Sequence, residues 1–339
     1  MASITITDVA RRARVSMKTV SRVMNGEPYV REELRQRVQQ AAKDLRYRPK
    51  VSARSLAGAR AYVVGYLLTG LSPYVVQAQS GVLKACHRAG YHLMVEAIDL
   101  ESPDLPAEME RIAGDLGVDG LILVPPLCDN TVIMDALDRQ GVSYVRLAPA
   151  KDHDRSPFVE VDDQGAAWSM TRYLVGLGHR RIGFIRGPAS HSASARRLQG
   201  FREGLAEARL QPIPELLETG DFTFETGRDA AGRLLALPEP PTAIFASNDV
   251  MACGAIAKAR ELGHEPPLTL SVSGFDDIPS ASMIWPPLTT MRQPISEMAA
   301  LAAEIIIARA APGAPTTEPA PPFQCELVVR GSTAPPQAR

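Results

Sequence analysis

The chain has 339 residues, of which 45% are hydrophobic and 22% charged, so its length and composition suit two or three folded units and exclude a disordered protein. No apolar run reaches the roughly 18 residues that a membrane helix needs, and the N-terminal stretch lacks the apolar core of a secretory signal. We therefore expect a cytoplasmic protein without a membrane partner.

The net charge of −1 hides an asymmetry, because residues 1–60 hold 14 basic and 5 acidic residues while the remainder is acidic. A basic end on an acidic body is typical of a protein that meets a polyanion, although charge alone leaves an ordinary solvated surface equally open.

Cysteine and histidine spacing gives no sign of a metal centre or a cofactor. The cysteines are far apart and form no CxxC pair, which predicts four free, mostly buried thiols. They are Cys86, Cys128, Cys253 and Cys325. We expect His179 and His191 to lie at the surface or at a pocket edge, and we expect neither metal nor cofactor.

Three short helices are predicted in residues 1–48, which we assign to a helix-turn-helix DNA-binding domain. The first follows Thr7 as its N-cap, and the second, MKTVSRVM, follows Ser16. The third covers roughly residues 31–45, where apolar residues recur at helical spacing. Together these helices have enough apolar residues for one very small core.

The free face of the second helix carries side chains that can contact DNA. Arginine and lysine can reach guanine acceptors, and hydroxyl groups can bind phosphate. The candidates are Ser16, Met17, Lys18, Thr19, Ser21 and Arg22. The alternative is a small helical bundle with an ordinary polar face. Two short helices separated by a few residues in a basic segment favour the DNA-binding interpretation.

The segment from Thr5 to about Gly58 resembles the head of the lactose-repressor (LacI/GalR) family without a gap. The elements TDVA, KTVSRV, LRYRP and ARSLAG carry this resemblance. It implies that the second helix reads bases in the major groove and that residues near it support backbone or base contacts. The implied base-reading residues are Met17, Lys18 and Arg22, and the supporting ones are Thr5, Asn25 and Tyr29.

Arg14 departs from the family pattern, because it lies in a turn where the family usually has glycine. If φ is positive at this position, a side chain costs on the order of 1 kcal/mol. Two hypotheses stay open: the turn is remodelled, or Arg14 compensates with a phosphate contact.

Residues 49–60 are predicted to form a linker that is coil or frayed when free. Pro49 ends the third helix, and the segment is too short for a stable lone helix. The resemblance implies that it folds into a hinge helix on DNA, paired with its copy in a homodimer. It also implies that Leu56 inserts into the minor groove and that small Ala53 permits close approach of the paired helices.

From Ala61 to about residue 335, apolar strands alternate with amphipathic helices. The strands include GLILVP, RIGFIRG and LSVSGFD. This alternation predicts parallel sheets covered on both faces, and the number of units predicts two α/β lobes. In such sheets, ligands bind beyond the carboxyl ends of the strands.

This body resembles the sensor domain of the same family, which is similar to periplasmic sugar-binding proteins. LGHRRIGFI, FASNDVMACGAI, VSGFDDIPSA and PPLTTMRQP are among the matching stretches. The resemblance implies three crossings between lobes, which we place near Val161, Thr290 and Phe323. The N-lobe then comprises about 61–161 and 291–322, and the C-lobe about 162–290 and 323–335.

The resemblance also implies an effector pocket in the cleft between the lobes. An aromatic plate with Arg, Asp and Asn suits a hydroxyl-rich ring. The residues are Ser72, Tyr74, Arg197, Phe222, Asn248, Asp276 and Gln293. Each alone could be an ordinary loop polar group or a core aromatic; as a set they favour a binding site.

Arg146 interrupts the apolar strand VSYVRL near its carboxyl end. A buried arginine needs a partner. Two interpretations are equally open: Arg146 binds an anionic or multiply hydroxylated effector alongside Arg197, or it forms a structural salt bridge to the acidic VEVDD segment. Ala148 stands where several members of the family have an aspartate, so the sugar they sense need not be the one bound here.

The leading hypothesis is a homodimeric repressor of carbohydrate-utilisation genes on a palindromic operator, controlled by a sugar or sugar acid. A periplasmic receptor is disfavoured by the basic head and the missing signal peptide. An enzyme is disfavoured because the chain has no P-loop lysine motif, HExxH or GxSxG, and GLGH at 176–179 lacks the third glycine of a dinucleotide loop.

Overall fold

The computed structural model describes residues 4–24, 29–45, 47, 60–115, 117–311 and 320–337. The chain forms two compact units that divide between Tyr62 and Val63, two residues after the predicted linker. The first unit is helical and the second is built from two sheets. Within these residues, no helix combines the length and apolarity needed to cross a bilayer. All four cysteines are free thiols, of which Cys86 and Cys128 are buried.

The described residues of the first unit form three helices around one small core. They are α1 (Ile6–Ala13), α2 (Met17–Met24) and α3 (Glu32–Asp44). Val9, Val20 and Val38, one from each helix, are fully buried and close this core. Nη2 of Arg37 donates to the carbonyl of Ala13 at 2.6 Å, so α3 also satisfies a carbonyl at the end of α1.

The predicted N-cap of the first helix is wrong, because Thr5 and not Thr7 precedes it. The Asp8 carboxylate accepts from the Thr5 hydroxyl at 2.7 Å and from the Thr5 backbone N–H at 2.9 Å. These hydrogen bonds hold the pKa of Asp8 below its usual value. A cap at Thr7 would place Ala10 at the third helical position, where it has no side-chain acceptor.

The N-lobe of the second unit is a five-stranded parallel sheet in the order β2-β1-β3-β4-β5. Its strands are β1 (Val63–Leu68), β2 (His92–Ala97), β3 (Gly120–Leu123), β4 (Tyr144–Leu147) and β5 (Phe158–Val159). Its helices are α4 (Pro73–Ala89), α5 (Leu105–Asp115), α6 (Thr131–Arg139) and, from late in the chain, α12 (Ile295–Arg309). A Cβ on Gly81 of α4 would overlap the carbonyl oxygen of Ser296, so glycine permits the close packing of α4 on α12.

The C-lobe is a six-stranded sheet in the order β11-β10-β9-β8-β6-β7, in which only the described pair β10–β11 is antiparallel. Its strands are β6 (Ile182–Arg186), β7 (Leu217–Thr219), β8 (Ala243–Ala246), β9 (Ser271–Asp276), β10 (Thr289–Arg292) and β11 (Glu326–Val328). Its helices are α7 (Asp163–Gly176), α8 (Ser192–Glu207), α9 (Phe224–Leu235), α10 (Asp249–Glu261) and α11 (Pro279–Met283). The predicted fold class, a helical head and two parallel-sheet lobes, is confirmed.

The chain passes between the two sheets after β5, after β10 and before β11. Val161 and Phe323 form a parallel bridge, so two crossing strands run side by side. The remaining crossing follows Arg292 rather than Thr290. Thr290 is buried inside β10, where its hydroxyl donates to the carboxylate of Asp249.

Candidate functional site

A cavity of about 110 Å³ lies in the cleft between the two lobes. Its walls are the segments at or just after the carboxyl ends of strands, namely β1, β3, β4 and β5 of the N-lobe and β6 to β10 of the C-lobe. Every predicted effector residue except Arg146 lines it: Ser72, Tyr74, Arg197, Phe222, Asn248, Asp276 and Gln293. The fold thus brings together residues that lie more than 200 positions apart in the chain.

Arg197 is the fixed cation of the cleft. Its Nε donates to Oδ1 of Asp163 at 2.7 Å, its Nη1 donates to the carbonyl of Ser247, and the same Nη1 lies 3.5 Å from Oδ1 of Asp276. The guanidinium also stacks over the ring of Phe275, with 3.7 Å between its Cζ and the ring centroid. Among the hydrogen bonds of the described residues, none uses Nη2 of Arg197. That nitrogen is therefore available to a ligand.

Asp276 and Gln293 form an acceptor pair on the same wall. Burial raises the pKa of Asp276 to about 6, although Arg197 and a hydrogen bond from Gln293 oppose the shift. The amide Nε2 of Gln293 donates to Oδ1 of Asp276 at 2.6 Å, and its Oε1 is buried without a hydrogen-bond partner among the described residues. Above pH 6 Asp276 is mainly ionised, so the pair offers acceptors to the hydroxyl groups of a ligand.

Phe222 provides an aromatic wall whose position depends on its neighbours. Its backbone is left-handed, with φ of 71°, and Nδ2 of Asn248 donates to its carbonyl at 3.2 Å. The ring of His191 packs edge-on to it, with 5.2 Å between centroids. Oδ1 of Asn248 accepts from the N–H of Met251 at 2.9 Å, so this side chain caps α10 and holds Phe222 at the same time.

Gly187 allows the Phe222 ring to lie against the backbone, since a Cβ there would overlap Cζ of Phe222. We expect Gly187→Ala to displace the ring and to weaken effector binding roughly tenfold, because about 1 to 3 kcal/mol is a typical cost of overpacking. Titration calorimetry of the full chain with its effector measures this. Gly176→Ala is the matched control, because a Cβ at that helical glycine meets no atom within 4 Å. Equal affinities for the Gly187 variant and the control would show that the ring position is irrelevant to binding.

The N-lobe contributes Ser72 and Tyr74 to the cavity. Oγ of Ser72 accepts from the N–H of Val75 at 3.2 Å and so caps α4. Burial raises the pKa of Tyr74, so its phenol stays protonated and can donate a hydrogen bond at neutral pH. Ser72 therefore orients the start of α4, and Tyr74 offers the donor.

Ten other residues line the cavity outside the predicted effector set, and three of them bear on its chemistry. They are Asp163, which binds Arg197, His191, which was expected only at a surface or pocket edge, and Ala148. Asp163 belongs to the VEVDD segment directly after a lobe crossing, which was a usable signal. Burial first, and then the nearby Arg197, lower the pKa of His191, so its imidazole is neutral at pH 7.

Arg146 is the one predicted effector residue that the structure does not bring to the cavity. It is fully buried, and the predicted salt bridge to VEVDD does not form either. Its donors bind oxygen atoms of the loop that follows β4, including the carbonyls of Lys151 and Asp152. Both interpretations from sequence are corrected by this geometry, because backbone carbonyls replace the expected carboxylate or ligand.

In the first unit, three of the predicted DNA-contacting side chains are exposed on α2. Met17 is 54% exposed, and Lys18 and Arg22 are exposed one turn apart. Oγ of Ser16 accepts from the N–H of Thr19 at 3.1 Å, which caps the helix. The chain therefore presents two cations and a flexible apolar side chain together at this helix.

The other predicted DNA contacts fall into three groups. Thr5 is exposed and is held by Asp8, and Tyr29 is 93% exposed. Ser21 is half-buried. The predictions for Asn25, Ala53 and Leu56 lie outside the described residues.

Arg14 has the left-handed backbone that the family glycine would favour, with φ of 54° and ψ of 48°. We expect Arg14→Gly to stabilise the first unit by about 0.5 to 1 kcal/mol, because a left-handed L-residue is strained. Hydrogen exchange of the α1–α3 amides in the full chain measures this. Arg14→Ala removes the guanidinium but keeps the strain, so it should leave stability unchanged. If Arg14→Ala also stabilises the first unit, the destabilisation comes from the arginine side chain and not from the left-handed backbone.

The described residues contain no group of three or more His, Cys, Asp or Glu side chains that could hold a metal ion.

A basic helix-turn-helix unit and a two-lobed domain with a polar cleft define a ligand-responsive, DNA-binding regulator.

Comparison with known proteins agrees with this class. Residues 5–50 match the family described as bacterial regulatory proteins, lacI family, and residues 171–333 match a periplasmic binding protein-like domain. The chain is 35% identical over 313 residues to the ribose operon repressor of Escherichia coli K12, covering 90% of this chain and 92% of that protein. It is 34% identical over 309 residues to the repressor PurR of Edwardsiella ictaluri, covering 90% of each. The structure of the Lac repressor dimer bound to operator and the anti-inducer ONPF superposes with a TM-score of 0.79 at 26% identity, covering 98% of this chain and 100% of that one.

The chain therefore belongs to the LacI family of bacterial regulatory proteins. It is a DNA-binding transcriptional regulator with an effector-binding sensor domain, and it is not an enzyme.

Proposed function

We propose that this protein is a cytoplasmic, homodimeric repressor of carbohydrate-utilisation genes, and that its effector is a neutral, hydroxyl-rich ring. The observation that carries the proposal is the arrangement at Arg197: a fixed guanidinium with a spare nitrogen, next to the acceptor pair Asp276 and Gln293 and the aromatic wall of Phe222. Alternating donors and acceptors beside an apolar plate suit a sugar ring.

The charges of the cleft favour a neutral sugar over a sugar acid. The cation of Arg197 is already balanced by Asp163 and Asp276, and His191 is neutral at pH 7. A carboxylate ligand would add a third negative charge to a buried site that holds one positive side chain among its lining residues. Arg146, the second arginine expected to bind an acid, has its donors on the loop after β4.

The size of the cavity favours a single ring. One buried water molecule needs roughly 10 to 15 Å³ of cavity volume. The cavity volume of about 110 Å³ therefore accommodates on the order of ten non-hydrogen atoms, each about the size of a water molecule. A monosaccharide has about that many non-hydrogen atoms. The similarity to a ribose operon repressor supports a sugar of this size.

For DNA, we assign base reading to Met17, Lys18 and Arg22 of α2. Half-sites related by the two-fold axis of a homodimer make the operator palindromic. In this proposal residues 49–60 form the hinge, with Leu56 as the minor-groove wedge and Ala53 at the close approach. Effector binding shifts the population between two states of the sensor that differ in affinity for the operator.

The test is selection of bound sequences from random duplex DNA, repeated with D-ribose, other neutral monosaccharides, their sugar acids and purines. We expect a palindrome to be enriched, and a neutral monosaccharide to change that enrichment while its acid does not. Enrichment that responds to a purine would support the second candidate, a purine sensor, for which the similarity to PurR and the rings of Phe222 and Tyr74 argue. Absence of any enriched sequence would overturn the base-reading assignment.

A further inference from the structure

Arg146, at the carboxyl end of β4, is a buried cation whose hydrogen bonds all go to uncharged oxygen atoms. Nε donates to Oγ of Ser156 at 2.9 Å, and Nη1 and Nη2 donate to the carbonyls of Lys151 at 2.9 Å and Asp152 at 2.5 Å. Among the residues that the structure describes, no carboxylate forms an ion pair with this guanidinium. Because a buried cation without a carboxylate is costly, these oxygens must be held together as a set around it.

The loop that Arg146 binds has an irregular backbone, and Asp129, which accepts from the N–H of Ala150, and Arg155, which binds Asp138, also hold it. Residues 148–157 form no helix or strand, and two of them, Ala148 (φ 48°) and Asp152 (φ 54°), have left-handed backbones. Such backbones are disfavoured for L-residues and persist only where the surroundings enforce them. We refer to residues 148–157 as the cleft loop, because Ala148 lines the effector cavity.

The cleft loop also contacts the opposite lobe. Oγ of Ser192, the first residue of α8, donates to the carbonyl of Ala148 at 2.9 Å. Nη2 of Arg196 donates to the carbonyl of Pro149 at 2.9 Å and lies 2.8 Å from Oε1 of Glu160. The helix that makes these contacts is the one that carries Arg197 into the cavity.

We propose that Arg146 is a positioning residue of the effector cleft: from inside the N-lobe it fixes the cleft loop in the one shape that can hydrogen-bond to α8 across the cleft. It touches no ligand, and it acts through Ala148 and Pro149 on Ser192 and Arg196. The proposal rests on the proposed function only in taking the cleft as the effector site. It explains why an arginine occupies an otherwise apolar strand.

Hydrogen exchange of the ligand-free full chain tests this contact directly. Arg146→Met should raise exchange in the cleft loop and also in the first two turns of α8, by about tenfold, because hydrogen bonds to charged groups are among the strong ones. Arg146→Lys, which keeps the charge but not the planar fork, should give an intermediate increase. Exchange that rises in the cleft loop while α8 stays protected would overturn the proposal and leave Arg146 a purely local support.

Substitutions from the other side keep the test decisive if Arg146→Met fails to fold. Ser192→Ala combined with Arg196→Met should raise exchange in the cleft loop, although both changes lie in the C-lobe. Arg181→Met is the matched control, because Arg181 binds the carbonyl of Glu239, away from the residues that line the cleft. An unchanged cleft loop in the double variant would contradict the proposal.

Titration with D-ribose as the probe adds a functional readout. If the wild type binds it, Arg146→Met and the Ser192/Arg196 variant should each weaken binding about tenfold, and combining them should add little, because coupled residues are not additive. Full additivity would contradict a shared contact. If D-ribose does not bind the wild type, the proposed effector class loses support, while the exchange result still decides the role of Arg146.

Discussion

Replacing Arg197 by methionine is expected to abolish the effector response and to destabilise the sensor domain by about 3 to 5 kcal/mol, the usual cost of breaking a buried ion pair. Arg197 holds Asp163 at 2.7 Å and lies 3.5 Å from Asp276, so its loss leaves two buried carboxylates without their cation. The ligand loses its only arginine donor among the residues that line the cavity. Urea unfolding measures the stability, and operator binding with and without effector measures the response.

Two further variants separate binding from stability. Combining Arg197→Met with Asp163→Asn and Asp276→Asn removes the uncompensated charges, so stability should largely return while the effector response stays lost. Arg202→Met, an exposed arginine on the same helix α8, is the matched control and should behave like the wild type. An Arg197 variant that responds to effector with wild-type affinity would remove the basis of the proposed effector site.

Replacing Arg22 by alanine is expected to lower operator affinity by roughly 10- to 100-fold and to relax the preference at one base pair in each half-site, since a bidentate arginine–guanine contact is worth about 1 to 3 kcal/mol. Arg22 is exposed on α2, one turn after Lys18. The measurement is binding of the wild-type and variant proteins to the selected operator and to each single-base variant of it, at fixed salt.

The control must remove the same charge from the same unit. Lys43→Ala removes one positive charge at the exposed end of α3, outside the helix that is proposed to enter the groove. It should lower the affinity for every DNA sequence slightly and by the same factor. If Arg22→Ala also lowers the affinity for every DNA sequence by the same factor, Arg22 contacts phosphate and not a base. That outcome would contradict the proposed role in reading the operator.

Much of the architecture could be predicted from local patterns. The second helix starts after Ser16 as expected, because a serine cap and apolar residues at helical spacing act within a few residues of each other. The fully buried strand β3 was visible as the short apolar run GLILVP. The first helix was misplaced by two residues, because two threonines compete as caps and only the contact with Asp8 selects Thr5.

The candidate cleft was predictable in part. Strand ends and the family resemblance predicted Arg197, Phe222 and Asp276 as parts of one site, and all three line one cavity. Asp163 was missed as a lining residue and His191 was expected only at a surface or pocket edge, because each is an ordinary polar residue until the C-lobe folds and brings it next to Arg197 or Phe222.

Arg146 shows the limit of the sequence most clearly. A basic residue in an apolar strand indicates that its side chain needs a hydrogen-bond partner. The sequence does not show whether that partner is a ligand, a carboxylate or a set of backbone carbonyls. Only the folded path of residues 148–157, with its left-handed Ala148 and Asp152, places carbonyl oxygens around the guanidinium.

The sequence by itself determined the basic helical head, the alternation of strands and helices, and the polar residues at the strand ends, because these depend on spacing along the chain. The tertiary structure alone decided which of those residues meet: the pairing of Arg197 with Asp163, the contact of Ser192 with Ala148, and the removal of Arg146 from the cleft. These contacts depend on how the chain folds within each lobe and on how the two lobes meet, and no local sequence pattern specifies the distances between the residues involved.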